Sequence, residues 1–312
     1  MDEFFFDSKK NGLYRNKVDS FFIDCLTRNK SMAESHYHPY LEFLFVTKGV
    51  LKTFVEHRLF SLEEGELLII PPACLHRTQY DKNCPVSRIT LSCTKKYLLS
   101  LDSTLNDSFI NKNFILSKIS FRQKKNEITE MFLRLQKLQN EKPDENMNIQ
   151  QSSFLEEKGL VMQILSRILQ EKEAEDAENK NAGMENSTHE EKLFYENDSK
   201  TSPAAQKIQK TAKYIFDNFS REITLEDAAA FSQMSPSYFS RKFLEITGFG
   251  FKEYLTNVRI QQAIKMLSYT KINITQTALE CGFSDGNYFK DVFKKKTGYC
   301  PKEFRKLFRG KI

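Results

Sequence analysis

The stretch that decides the fold runs from Thr277 to Arg305 and reads T-A-L-E-C-G-F-S-D-G-N-Y-F-K-D-V-F-K-K-K-T-G-Y-C-P-K-E-F-R. Gly282 closes a short helix that carries a small residue, Ala278, on its inner face. Phe289 and Phe293 lie four apart, so they share one face of a second, longer helix, which Gly298 and then Pro301 stop. The same frame occurs once before. Leu225 and Ala229 stand 49 residues ahead of Ile274 and Ala278, and Tyr238, Phe239, Phe243, Thr247 and Gly248 stand 50 ahead of Tyr288, Phe289, Phe293, Thr297 and Gly298. The second copy therefore has one more residue in its turn. In the first copy, Thr224 with Asp227 three residues on, and Ser235 before Pro236, mark the helix starts. A short helix with a small inner Ala, a tight turn and a longer helix stopped by Gly is the layout of a helix-turn-helix, whose second helix can enter a major groove. The plainer alternative is an all-α repeat with aromatic core positions.

Charge argues for the first reading. From Pro203 to Ile312 there are 19 Lys and Arg against 10 Asp and Glu, a net of +9, whereas the whole chain carries +6. A basic module on a neutral-to-acidic partner is the footprint of a nucleic-acid binder. Taken with R-I-Q-Q-A-I-K-M-L at 259–267, the segment from about Ile208 to Arg305 resembles the C-terminal signature of AraC/XylS-type transcriptional regulators. The resemblance implies two helix-turn-helix motifs on one chain, joined by a long helix, that occupy successive major-groove segments of double-stranded promoter DNA. The stretch Phe251 to Leu267 suits such a spacer, being about 25 Å long at 1.5 Å per residue.

With Phe239 and Phe243 inward, Ser237, Ser240, Arg241 and Leu244 face out from the first long helix. With Phe289 and Phe293 inward, Asn287, Lys290, Asp291 and Lys294 face out from the second. Arg can grip guanine through O6 and N7 and Asn can grip adenine through N6 and N7, so these are the candidate readers. Asp291 stands where family members are frequently basic; it either accepts from a cytosine amino group or pairs with Lys294 or Lys295. Lys295 and Lys296 are expected at phosphates or on a solvated face.

Between Ser31 and Cys93, short apolar runs broken by turn residues (L-E-F-L-F-V-T before K-G, V-L-K-T-F-V, E-L-L-I-I-P-P, S-R-I-T-L-S-C) predict an antiparallel sheet or barrel. Here His36-x-His38-x-x-x-Glu42, with Gly49, Gly65, Pro71 and His76 at set distances, follows the cupin spacing. Lys30 and Ala73 stand where that pattern usually has glycine. His36, His38 and Glu42 share parity, so one extended strand would project them from one face, and a hairpin returning through Pro71 would bring His76 beside them. Three imidazoles and a carboxylate can hold a divalent transition metal. They can equally line a pocket for a small organic effector. Arg88, Thr90 and Ser92 alternate onto one face of a later strand, where Arg88 is either an anchor for an anionic or hydroxyl-rich ligand or part of a solvated face. The Phe-rich segment Phe4 to Phe22 is either a lid or core.

Two amphipathic stretches, Phe121 to Leu138 and Phe154 to Leu169, predict helices. In the second, Phe154, Val161 and Ile168 with Ile164 form a short heptad seam, suited either to pairing two copies or to packing on the chain's own barrel. By resemblance, this is where such regulators dimerise. Residues 171–205, with many acids and few large apolar groups, predict an acidic flexible linker.

The 312 residues, 40% hydrophobic, exclude a single small domain. The expected fold is multidomain α+β: a cupin-like antiparallel β-barrel over 1–115, helices over 116–170, the linker, and an all-α double helix-turn-helix domain over 206–312. Six cysteines at irregular spacings, without a C-x-x-C pair, predict reduced structural thiols. No apolar run of about 18 residues and no signal layout at the N-terminus predict a cytoplasmic chain with no membrane partner. The expected function is a sequence-specific regulator, such as an activator, with promoter DNA, RNA polymerase, a small-molecule effector (a sugar or other metabolite) and a second copy of itself as partners. No cofactor is expected unless a divalent metal occupies the histidines. The competing class is a metal-dependent cupin enzyme fused to a DNA-binding tail.

Overall fold

The computed structural model describes residues 3–5, 14–16, 21–28, 38, 40–79, 85–121, 124–140, 147–181 and 202–308. Among the described residues its N-terminal part has ten strands: β1 Glu3–Phe5, β2 Tyr14–Asn16, β3 Phe21–Arg28, β4 Leu41–Lys48, β5 Leu51–Val55, β6 Arg58–Leu62, β7 Glu66–Ile70, β8 His76–Gln79, β9 Val86–Cys93 and β10 Ser117–Ser120. β1 and β2 pair as a separate ribbon. The rest form a five-stranded sheet in the order β10-β7-β4-β9-β3 and a three-stranded sheet in the order β6-β5-β8, with every pairing antiparallel. The expected barrel is thus two sheets and not a closed cylinder. Alternation along a strand specifies which side chains point inward and is silent on whether the edge strands of two sheets hydrogen-bond to each other.

Period-2 alternation sorts the large sheet into two faces. Leu44 and Val46 of β4 and Leu68 and Ile70 of β7 meet Leu51, Val55, Phe60 and Leu62 of the small sheet, forming a core between the sheets. Phe43, Phe45, Leu67, Ile69 and Leu91 point the other way, onto helices. Those helices are α1 Lys95–Leu101, α2 Asp107–Asn113, α3 Lys125–Asn140 and α4 Met147–Asn181. Val161, Ile164 and Ile168 are fully buried in this core while Phe154 is 52% exposed, so most of the heptad seam packs on the chain's own sheet. α4 also runs ten residues past the expected linker start. Charged side chains hold its extension: Lys172 Nζ donates to Asn113 O (2.6 Å) and Glu175 Oε1 accepts from Ser120 N (2.9 Å). Of the rest of that linker, residues 182–201 lie outside the described residues, and its last residues, from Pro203, already belong to the next helix, with Ser202 as N-cap.

The C-terminal part is helical: α5 Pro203–Asp217, α6 Leu225–Phe231, α7 Pro236–Thr247, α8 Phe251–Tyr269, α9 Ile274–Glu280, α10 Gly286–Thr297 and α11 Pro301–Phe308. α6–α7 and α9–α10 are the two helix-turn-helix copies, and α8 joins them. Thr224 and Asp227 form a full capping box on α6, as their spacing predicts. Gly248 and Gly298 end α7 and α10 in the left-handed region. Among the described residues, no helix is long and apolar enough to cross a membrane.

The small sheet has two occupied faces. Its inner face closes the sensor core, and from its outer face Phe54, together with Leu75 of the loop leading into β8, enters the core of the first helix-turn-helix half, where Phe54 meets Phe249 and Tyr254 with ring centroids 6.2 and 6.0 Å away. In the β5–β6 turn, Glu56 sits at φ 55° and is the polar hub of the docking. Its carbonyl accepts from Tyr254 Oη (2.7 Å), its Oε1 accepts from Gln261 Nε2 (2.7 Å), and Lys265 Nζ lies 3.5 Å from the same oxygen. All three partners lie on one side of α8.

Candidate functional site

The two long helices of the repeat are anchored alike. Phe239 and Phe243 on α7, and Phe289 and Phe293 on α10, are fully buried. Thr247 Oγ1 donates to Phe243 O and accepts from Phe249 N, and Thr297 does the same with Phe293 O and Tyr299 N. The opposite faces are open. Ser237, Ser240, Arg241 and Leu244 are exposed on α7, and Asn287, Lys290, Asp291, Lys294 and Lys295 on α10. The guanidinium of Arg241 lies 5.4 Å from the Tyr238 ring centre, a cation–π contact that limits its swing. Among the described residues Asp291 makes no ion pair, so of its two alternatives the pairing with Lys294 or Lys295 is not formed. Lys294, Lys295 and Lys296 fill the last turn of α10, where the helix dipole favours cations. Tyr238 and Tyr288, which entered the sequence argument only as repeat markers, are also exposed on these helices; their recurrence at one spacing was the signal.

In the sensor, three of the five expected pocket residues converge. His38, Glu42 and His76 are 3%, 7% and 1% exposed, and one ligand atom from each lies within 4.8 Å of the others. Glu42 points inward from β4. His38 precedes that strand instead of sharing it, and its carbonyl accepts from Ala73 N (2.8 Å). His76 opens β8 on the opposite sheet. His38 Nε2 is 2.9 Å from Glu42 Oε2, and His76 Nε2 is 4.0 Å from Glu42 Oε1. Each Nδ1 lies 3.0 Å from a backbone carbonyl, Tyr40 O for His38 and Cys74 O for His76. A carbonyl can only accept, so each Nδ1 holds a proton and each Nε2 is turned toward the carboxylate. Two imidazoles oriented by backbone carbonyls, plus one carboxylate, are a donor set that fits a divalent transition ion. His36 lies outside the described residues. Arg88 is separated from the cluster: β4 and β9 align Glu42 with Ser92 and Val46 with Arg88, four register positions away, and Arg88 Nη1 donates to Thr90 Oγ1.

Sequence reasoning missed the contact between the two parts. An open cavity of ≈ 260 Å³ lies along it, between Pro71, Ala73 and Lys95 of the sensor and Lys265 and Tyr269 of α8. These residues are far apart in the chain, and no local pattern joins them.

Two family models match the chain in tandem: an AraC-like ligand binding domain over residues 20–165 and a helix-turn-helix domain over 228–307. The chain belongs to the AraC/XylS-type transcriptional regulators. Relatives of this AraC/XylS-type chain include an HTH-type transcriptional regulator in the cgkA 5' region of Pseudoalteromonas carrageenovora, 38% identical over 101 residues, 32% of this chain and 60% of that one. The bifunctional transcriptional activator/DNA repair enzyme AdaA of Bacillus subtilis (strain 168) is 35% identical over 105 residues, 34% of this chain and 50% of AdaA. An HTH-type transcriptional regulator of Staphylococcus aureus is 25% identical over 264 residues, covering 84% of this chain and 31% of its own. The chain thus spans less than two thirds of each of these relatives. The four described thiols, Cys74, Cys93, Cys281 and Cys300, are all free, and burial pushes Cys281 up to about 12.

Proposed function

We propose that this AraC/XylS-type chain regulates transcription by binding a specific promoter sequence with α7 and α10, under the control of an effector in its sensor domain. The observation that carries this is the pair of Phe-anchored helices whose polar and basic faces are open at the two ends of one 19-residue helix. At 1.5 Å per residue that helix spans about 28 Å, on the scale of one DNA turn of about 34 Å. Arg241 and Asn287 are the base readers, with Ser237, Ser240, Lys290 and Asp291 beside them; Lys294 and Lys295 neutralise phosphates. His38, Glu42 and His76 form the effector site, taking a polar metabolite such as a sugar or, in its place, a divalent metal ion, with His36 as an added donor. Arg88 serves a separate polar end of the inner face. The chain acts as a cytoplasmic homodimer that contacts RNA polymerase, with exposed Leu133, Phe154, Leu155 and Met162 of α3 and α4 supplying the apolar contact surface. It has no catalytic cycle; the fused cupin enzyme draws support only from the donor set of the cluster.

The test is selection of DNA from a random pool by the full-length protein, followed by fluorescence anisotropy on the selected fragment at several salt concentrations. We expect the selected sequence to bind at least about a thousandfold more tightly than random DNA, and affinity to fall by about 0.9 log units per log unit of salt for each phosphate engaged. Equal affinity for all sequences overturns the reading.

A further inference from the structure

We propose that His38, Glu42 and His76 form a regulatory divalent-cation site whose occupancy reaches the first reading helix through β8. This rests on the DNA-binding reading above and adds the class of effector and its route.

The cluster bridges the two sheets, since Glu42 belongs to the five-stranded sheet and His76 to the three-stranded one. The 4.0 Å between His76 Nε2 and Glu42 Oε1 is too long for a hydrogen bond. A divalent ion bound by both side chains would join them across that gap. The 2.9 Å between His38 Nε2 and Glu42 Oε2 suits two neighbouring ligands of the same ion. A cation held by all three side chains would clip the small sheet to the large one.

The strand that carries His76 has its other face on the DNA-binding half. Gln79 Nε2 donates to Glu245 O (3.3 Å) and Ile246 O (3.0 Å), two carbonyls at the end of α7. Arg77 lies 5.8 Å over the Phe249 ring and against Gly248, where a Cβ would come within 2.6 Å of the Arg77 side chain. Inward His76 and outward Arg77 are consecutive residues of one strand, so a shift at the cluster moves the grip on α7 with no intervening element. By linkage, whatever factor the cation adds to DNA affinity, DNA adds to cation affinity.

The experiment uses full-length protein stripped with a chelator. Co(II) is titrated as a spectroscopic probe, and Zn(II) is used in anisotropy with the selected DNA at constant ionic strength. We expect one Co(II) per chain with visible ligand-field bands, lost in Glu42→Gln, and a fivefold or larger tightening of DNA binding by Zn(II). The double variant Arg77→Ala/Gln79→Ala should keep the bands and lose the tightening. A DNA affinity unchanged within twofold by Zn(II), or wild type without a saturable Co(II) band, overturns the proposal. If the protein binds no preferred DNA, the regulator reading fails, and hydrogen exchange decides this one. Zn(II) should slow exchange over residues 244–254 in wild type and leave Glu42→Gln unchanged; equal exchange with and without Zn(II) sinks it.

Discussion

In the first helix-turn-helix copy the left-handed turn residue is Gln233, at φ 57°; in the second it is Gly282, at φ 79°. The two positions correspond in the repeat but have different surroundings. Gln233 is exposed and accepts from Lys207 Nζ. A Cβ on Gly282 would lie 2.8 Å from Phe219 O and 2.9 Å from Ser220 O, in the loop between α5 and α6. Arg259 Nε donates to that same Phe219 carbonyl. The second turn therefore closes against the first half, while the first half is held from outside by the sensor. A repeated frame can thus be stabilised by two different neighbours, and substitutions at matched positions should separate them.

Gly282→Val should have the largest effect, about 3 kcal/mol or more, because it adds left-handed strain to a backbone clash. Gln233→Gly should stay within about 1 kcal/mol. Chemical denaturation of both variants checks the contrast, and equal losses would mean that the turns are equivalent after all.

On DNA, Arg241→Ala should cost about 1 to 3 kcal/mol and relax preference at one or two base pairs in one half-site. Lys295→Ala in the second copy should weaken all sequences alike and lower the salt slope by about 1. Interchanged profiles would show that the reading faces are rotated from those assigned.

A titration separates the copies next. His57 sits in the β5–β6 turn with its ring 4.9 Å from Phe216 of α5, and burial, then the charges of Arg58 and Lys213, hold its pKa down to about 3. The folded value lies below the unfolded 6.5, so its contribution is complete above pH 6.5 and is lost as pH falls toward 3. At pH 5.5 the loss is about 1.4 kcal/mol. Hydrogen exchange should show the docked first half loosening before the second, with the difference reduced in His57→Gln. Smaller still, Thr224→Ala removes a capping box found only in the first copy and should cost about 1 kcal/mol by thermal melting.

The helical repeat was legible because Phe, Thr and Gly recur at fixed offsets and each reports one local requirement: a buried face, a cap, a left-handed stop. Glu42 and His76 were legible for a similar reason, as inward positions on strands. Arg88 lies on the face that parity assigns it but four register positions from Glu42, because parity identifies a face and says nothing of distance along it. The docking surface was hidden because Arg77 and Gln79 alternate with buried residues as any solvated strand face does. The end of α4 was hidden because Lys172 and Glu175 are polar, and composition alone counts polarity as disorder.

The two occupied faces of the small sheet bear on modularity. A chimera that joins this sensor to an unrelated DNA-binding domain at Ser202 would leave Phe54 and Leu75 facing water and the Glu56 carboxylate without Gln261. The transplantable unit is therefore larger than the N-terminal half of the chain: it includes α5 and the near side of α8. A working graft would need to carry those segments across, or to rebuild Phe54, Leu75 and Glu56 for a new neighbour.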